Sequence, residues 1–372
     1  MLLVVGICVA ASACGGRTGL QLRQPGGQPS NATHDGGNGL PDAVGSWSQC
    51  LSTAFDIPTP DSDPAQIVTG PDGALWFTEF LGHKIGRITP DGAITEFPTP
   101  TSNASPWGIA VGPDGQLWFA EAGCPDNPIL SCTGAIGRIS VSGSAGAFPL
   151  VTPNNDPKFI TAGPDGNLWF VEQPDIVTEP RTASHVARMT TGGDLAEVPV
   201  PPDQQELEFY DRIITGPDGS LWFATTGEVG TGELDRITTE GVLTTVFQSS
   251  FSTGIIGTLT VGPDRDLWFS ELEYAGVTPT GRVKLGRVSA TGAVTEYPLP
   301  DHAAFGLVAG PDGYLWFVEK ASGRFGRISP DGFADVCELG SAIGPGCAGP
   351  DGAFWFLGTR SSNKVYRIQV GQ

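Results

Sequence analysis

Ten residues, GPDGALWFTE at 70–79, return as GPDGQLWFAE at 112–121 and recur with small changes along the rest of the chain. Their tryptophans are Trp76, Trp118, Trp169, Trp222, Trp268, Trp316 and Trp355. The spacing is roughly 40–50 residues, the period of a propeller blade. A second phrase follows each one: KIGRITPDGAITEFP at 84–98, AIGRISVSGSAGAFP at 135–149, LGRVSATGAVTEYP at 285–298. Arg87, Arg138, Arg188, Arg236, Arg287, Arg327 and Arg367 mark one position of that phrase. Two linked phrases spelled seven times mean seven copies of one supersecondary unit, each too small to bury both of its faces alone.

Each unit divides into four short strands. In the second they are WGIAVG, QLWFAE, AIGRIS and AGAFPL, separated by Pro-Asp-Gly and Ser-Gly-Ser turns. Gly supplies the positive φ that such turns need. The 53 glycines and 32 prolines fit many short strands better than long helices. Stacking the units radially covers their faces and leaves only short edges. The expected fold is therefore all-β, a seven-bladed β-propeller of four-stranded blades. The last unit stops at KVYRIQV, a third strand, and TAFDIP at 53–58 reads as a fourth strand with no unit before it. The N-terminal strand should complete the last blade and close the ring. Trp and Phe of each LWF then fill the layers between blades, and function belongs where the units differ.

The first residues, MLLVVGICVAASAC, form an apolar run too short to span a bilayer. Ending in small residues, it reads as a secretory signal over 1–14. Ala11-Ser12-Ala13-Cys14 resembles a bacterial lipoprotein processing site, with Cys14 carrying the lipid. That makes the chain an exported lipoprotein of the cell envelope, touching membrane only through its anchor; plain secretion is the alternative. Residues 15–46, rich in Gly, Pro, Gln, Asn and Ser, read as a flexible tether, and 47–372 as the propeller. An exported protein can keep Cys124 and Cys132 bonded, since they share one loop. Cys50, Cys337 and Cys347 are an odd set; a Cys337–Cys347 bridge is one possibility, and the pairing of the three is left open by the sequence. No pair has the CxxC spacing of a zinc site. A net charge of −20 repels phosphate backbones and argues against a nucleic-acid partner. The propeller is expected to be a monomer.

Turns after the second and fourth strands share one face of the ring. The long insertions fall there: 122–134, 173–185, 199–210, 226–233, 248–256 and 272–284. Binding loops of repeat proteins gather on one face, so the ligand site is assigned to this one, near the axis. The residue leading into each inner strand should rim the channel. Five positions before the conserved Gly stand Ala65, Trp107, Lys158, Asp211, Gly257, Phe305 and Gly344. Trp107 and Phe305 could stack on an apolar or cyclic ligand, with Lys158 and Asp211 binding its polar groups, unless all four merely plug the channel. Glu79, Glu121, Glu172, Glu271 and Glu319 end second strands. Such a ring could hold a hard cation, or each carboxylate could pair locally. His302 precedes an inner strand and is the candidate general base. GPDG lacks the Lys and spacing of a phosphate loop, and there is no nucleophile elbow.

The alternation of GPDGxLWFTE with xIGRITPDGxITEFPxP resembles the streptogramin B lyase family, also called virginiamycin B lyases, over about 53–370. The resemblance implies a seven-bladed propeller that opens a cyclic depsipeptide antibiotic, breaking its ester by elimination with Mg²⁺ assisting. The family's chemistry rests on histidines in a Pro-His-Gly/Ala-Ile phrase of the last two blades, and on a Glu after the last Trp-Phe. Here Phe305 and Gly344 hold the histidine positions, and Leu357, Gly358 and Thr359 follow the last Trp-Phe. Neither Phe nor Gly can remove the proton beside the ester carbonyl. The leading expectation is thus a binding module for a small cyclic or apolar ligand, or an envelope protein. The second is a working lyase with His302 as displaced base and Glu319 and Glu271 holding Mg²⁺, Glu319 also assisting catalysis. A gluconolactonase-like hydrolase comes third; it needs a Glu/Asn/Asp metal cluster for which the chain has no phrase.

Overall fold

The computed structural model describes residues 50–123, 134–150, 155–174, 184–198, 212–226, 231–275, 278–299, 304–310, 312–319, 323–328, 334–339 and 343–370. They form seven antiparallel four-stranded sheets. In blade 2 the strands are Ser105–Val111, Leu117–Ala122, Ala135–Ile139 and Ala145–Pro149. These match the expected segments within two residues. Inner strands touch the inner strands of neighbouring blades, so the sheets stand around a common axis. The protein is a seven-bladed β-propeller.

The ring closes as the repeat demands. Cys50–Asp56 pairs antiparallel with Lys364–Val370, from Cys50 opposite Val370 to Asp56 opposite Lys364. Blade 7 therefore takes three strands from the C-terminus and its outermost strand from the N-terminus. The closing strand begins at Cys50, three residues earlier than its apolar residues suggest.

The repeated residues build the layers between blades. Trp76 of blade 1 packs with Ile109, Leu117 and Phe119 of blade 2, and Trp118 of blade 2 with Ile160, Leu168 and Phe170 of blade 3. Each Trp thus meets the Phe of the next blade. Glycines make this approach feasible. A Cβ on Gly70 would lie 2.3 Å from Trp76 Cδ1, and one on Gly86 would lie 2.1 Å from the Phe77 ring. The Asp of each PDG turn does more than turn the chain. Its Oδ1 accepts the indole N–H four residues on, at 3.0 Å for Asp72–Trp76 and 2.9 Å for Asp218–Trp222. In blades 1 and 7 its other oxygen receives the repeat arginine, Arg87–Asp72 at 2.7 Å and Arg367–Asp351 at 2.6 Å, whereas in blade 2 Asp114 Oδ2 accepts from Gln116 Nε2 at 3.0 Å. The guanidinium of Arg87 also lies 5.8 Å from the Trp76 ring centroid. Burial pushes Asp72 upward, but the Trp76 and Arg87 hydrogen bonds outweigh it and hold the carboxyl below its ordinary value.

The pairing left open by the sequence is Cys50 with Cys337, so the possible Cys337–Cys347 bridge does not form. Cys337 lies on the outermost strand of blade 6, facing the closing strand. Cys347 lies on the inner strand of blade 7, beside Thr69 of blade 1, and keeps a free thiol. Cys337 and Cys347 are near in sequence but sit at opposite edges of the sheets. Cys14, Cys124 and Cys132, and with them the signal and tether, lie outside the described residues.

Candidate functional site

Among the described residues, six inner strands show the same defect at their start; that of blade 4 is described as strand only over Ile214–Thr215. The register slips by one residue between Pro64 and Ile67, Pro106 and Ile109, Pro157 and Ile160, Ile256 and Leu259, Ala304 and Gly306, and Ile343 and Gly346. A bulge of this kind bends a strand and re-aims the side chain it carries. The rim positions Ala65, Trp107, Lys158, Gly257, Phe305 and Gly344 all fall inside these bulges. Asp211 and His302 lie outside the described residues, and of Phe305 only the backbone is described. Most of the long insertions are likewise outside. Those of blade 5 are largely described: there the second and third strands, Leu267–Ala275 and Thr278–Val288, are the longest in the propeller among the described residues.

Two of the expected rim residues come together. The Lys158 ammonium lies 5.2 Å from the Trp107 ring centroid, within cation–π range. Phe80 meets the Trp107 ring edge-on at 4.9 Å and 82°, and Phe159 does so at 6.5 Å and 85°. All four side chains are half-buried. The backbone is pinned as well, since Thr78 Oγ1 donates to the Trp107 carbonyl at 2.7 Å. Asp156 lies 4.0 Å from Lys158 Nζ and also accepts from the Gly123 N–H at 2.9 Å. The result is an aromatic patch with one cation, spread over blades 1 to 3. Phe80 and Phe159 were missed from the sequence. Phe80 did carry a signal: the other second strands that end in Glu continue with Ala, Gln, Leu or Lys.

The strand-ending carboxylates have a different setting. Glu79, Glu121, Glu172 and Glu271 are fully buried, and Glu319 nearly so. Three of them, Glu79, Glu121 and Glu271, lie against the connection that leads into their own blade. Glu79 faces Ser62 of the segment 57–63, and Glu121 faces Thr101 of the segment 99–104. Glu271 Oε1 accepts from Ser249 Oγ and the Ser250 N–H, both at 2.6 Å, while Lys284 stands 3.9 Å from Oε2. Glu319 lies 4.0 Å from Arg324. Burial, reinforced by Glu96, pushes the Glu79 carboxyl up to about 8; burial takes Glu121 to about 7. Burial also raises Glu271, against its serine hydrogen bonds. Of these acids Glu271 ties down its entering connection through hydrogen bonds, while the carboxylates of Glu79 and Glu121 are buried with no hydrogen bond within 3.5 Å among the described residues.

His83 and His185, which precede or open third strands, are half-buried. His83 adopts φ of 52° in the turn before its strand, with Nδ1 3.1 Å from the Ala104 carbonyl. An open groove of about 240 Å³, lined by Asn167, Arg188, Thr190 and Asp194, lies on the opposite face, at turns after first and third strands.

The fold and this repeat define a class: propellers built from linked GPDGxLWF and xIGRI phrases. The virginiamycin B lyase family model matches residues 46–175, 130–283 and 213–372, which together span the propeller. The virginiamycin B lyase of Nocardia farcinica (strain IFM 10152) is 30% identical over 213 residues, half of this chain and 70% of that protein. A match to the Bordetella parapertussis (strain 12822) virginiamycin B lyase is 42% identical over 48 residues but spans only 16% of that relative. A solved streptogramin B lyase superposes with a TM-score of 0.70 at 26% identity, covering 88% of this chain and all of the other. The chain belongs to the virginiamycin B lyase family.

Family membership raises the question of magnesium. Among the described residues no three His, Cys, Asp or Glu side chains gather into a metal-binding group. Glu271 is engaged with the Ser249–Ser250 turn and Lys284, and Glu319 stands beside Arg324. Both carboxylates expected as magnesium ligands therefore already have protein partners.

Proposed function

We propose that this protein is an exported, lipid-anchored propeller that binds a small cyclic or apolar ligand on its loop face and has lost the family's lyase chemistry. The observation that carries the reading is the patch formed by Trp107, Phe80, Phe159 and Lys158. Half-buried aromatic faces beside one cation suit a ligand with a flat or cyclic apolar body and a polar or anionic edge. Side chains already ordered in this way reduce the entropy lost on binding.

The loss of lyase chemistry follows from what the reaction requires. Elimination needs a base that takes the proton beside the ester carbonyl while the ester oxygen leaves. Phe305 and Gly344 occupy the positions where the resemblance puts histidines, and neither can accept a proton. The anchor rests on the Ala11-Ser12-Ala13-Cys14 phrase and the tether at 15–46.

The test uses purified propeller, a streptogramin B depsipeptide and Mg²⁺, read by Trp fluorescence and by liquid chromatography with mass spectrometry. Saturable quenching with intact antibiotic is the expected result. A linear isomer of unchanged mass would overturn the loss of chemistry. If His302→Ala abolished that product, the displaced-base alternative would stand. Neither binding nor turnover would remove the small-ligand reading and leave an envelope protein as the partner to seek.

A further inference from the structure

Six blades hold their fourth strand by a short turn from the third. Blade 7 does not: its fourth strand, Cys50–Asp56, arrives from the other end of the chain and has no turn joining it to the strand it pairs with. That strand is poorly buried. Leu51 is 61% exposed, and Ser52, Thr53 and Ala54 are exposed as well. Beyond that backbone pairing, its side-chain anchors lie at its two ends. At one end Phe55 stacks on Trp355 at 5.8 Å and lies against Gly92 of blade 1, while Asp56 pairs with Lys364. At the other end Cys50 is bonded to Cys337 of blade 6, across 287 residues of chain.

We propose that the Cys50–Cys337 disulfide is a redox-sensitive latch on the ring closure. Cys50 is half-buried and Cys337 buried, so a thiolate from outside reaches the Cys50 sulfur first. Attack by a dithiol reductant breaks the S–S bond, forms a mixed disulfide at Cys50 and releases the Cys337 thiolate, which takes a proton. The reductant's second thiol then displaces Cys50 and leaves as a cyclic disulfide. Two electrons and two protons have passed to the protein. The reduced state is accommodated, because Cys337 Sγ stands 3.3 Å from the Phe325 carbonyl, an acceptor for the new thiol. With the latch open, the strand keeps its pairing with Lys364–Val370 and its Phe55 anchor but loses the covalent tie at Cys50, and it frays from Cys50 inward. Fraying uncovers the outer edge of Lys364–Val370, an unpaired strand edge open to another strand. The inference does not depend on what the loop face binds.

The test uses the full-length chain made in an oxidising compartment. Alkylation and peptide mass spectrometry without reductant should find Cys50 joined to Cys337. Hydrogen exchange should then accelerate at least tenfold at 50–54 after dithiol reduction, with 64–98 unchanged, and reoxidation should restore protection. Cys337→Ser should behave as the reduced protein under all conditions, and Cys347→Ser as the oxidised one. The melting temperature should fall on the order of 10 °C on reduction. Free alkylation of both cysteines without reductant would overturn the latch. So would equal exchange at 50–54 in both states, even with a lower melting temperature, since that pattern marks a general staple.

Discussion

The two faces of the ring are built by opposite rules. On the turn face, the Asp–Trp–Arg constellation repeats around the ring: Asp72 with Trp76 and Arg87 in blade 1, Asp351 with Trp355 and Arg367 in blade 7. On the loop face six blades share a bulge and five a buried Glu among the described residues, but little else. There Trp107 gathers Phe80, Phe159 and Lys158, whereas at blade 5 a single ring, Phe251, lies under Arg282 and Lys284. Repetition marks what every blade needs in order to stack. Divergence marks what the ring uses once.

That contrast can be broken by mutation. The largest effect is expected at the turn-face tryptophans. Trp118→Ala removes a fully buried ring from the layer between blades 2 and 3. It should cost about 3–5 kcal/mol in urea unfolding, with ligand affinity kept in whatever fraction remains folded. Trp107→Ala should do the reverse, because the ring is half-buried and helps to form the binding patch. Affinity for the depsipeptide should drop at least tenfold by fluorescence titration, at a stability cost of about 1–2 kcal/mol. Equal stability losses at Trp107 and Trp118 would erase the distinction between scaffold and site.

The buried acids predict a pH dependence. The Glu79 carboxyl is pushed up to about 8 by burial and by Glu96. Between the ordinary Glu value and that point, the folded state holds a proton that the unfolded state has released. Stability therefore falls as pH rises through this window, by up to about 1.4 kcal/mol per pH unit for one such group, and levels off above it. Glu79→Gln should flatten part of the slope in unfolding curves taken at pH 5, 6.5 and 8. An unchanged slope would mean that Glu79 is ionised in the fold. The smallest effect is expected from Lys158→Met, which keeps the aliphatic stem and removes the cation over Trp107. Stability should change by roughly 0.5–1 kcal/mol or less. Affinity should fall for an anionic ligand and hold for a neutral one.

Most of the fold was legible from the repeat. Seven tryptophans at blade spacing, a last unit lacking a strand and a spare strand at the N-terminus leave one ring that closes. The rim was legible only as positions. The rule that found Trp107 and Lys158 counted back from a conserved Gly, and it worked because the bulge recurs at one place in each blade. It missed Phe80, which reaches Trp107 from the neighbouring blade. The cysteines show the same limit: Cys337 pairs with the most distant of its candidates, because ring closure brings the two ends of the chain together.

The sequence by itself determined the blade count, the closure and the residues that fill the layers, because a repeated pattern of buried and turn residues has only one way to cover every face. Tertiary structure alone decided which side chains meet across blades. It set Trp107 among Phe80, Phe159 and Lys158, turned Glu271 onto Ser249 and Ser250, and joined Cys50 to Cys337. Those contacts depend on distances between segments far apart in the chain, which only the assembled ring defines.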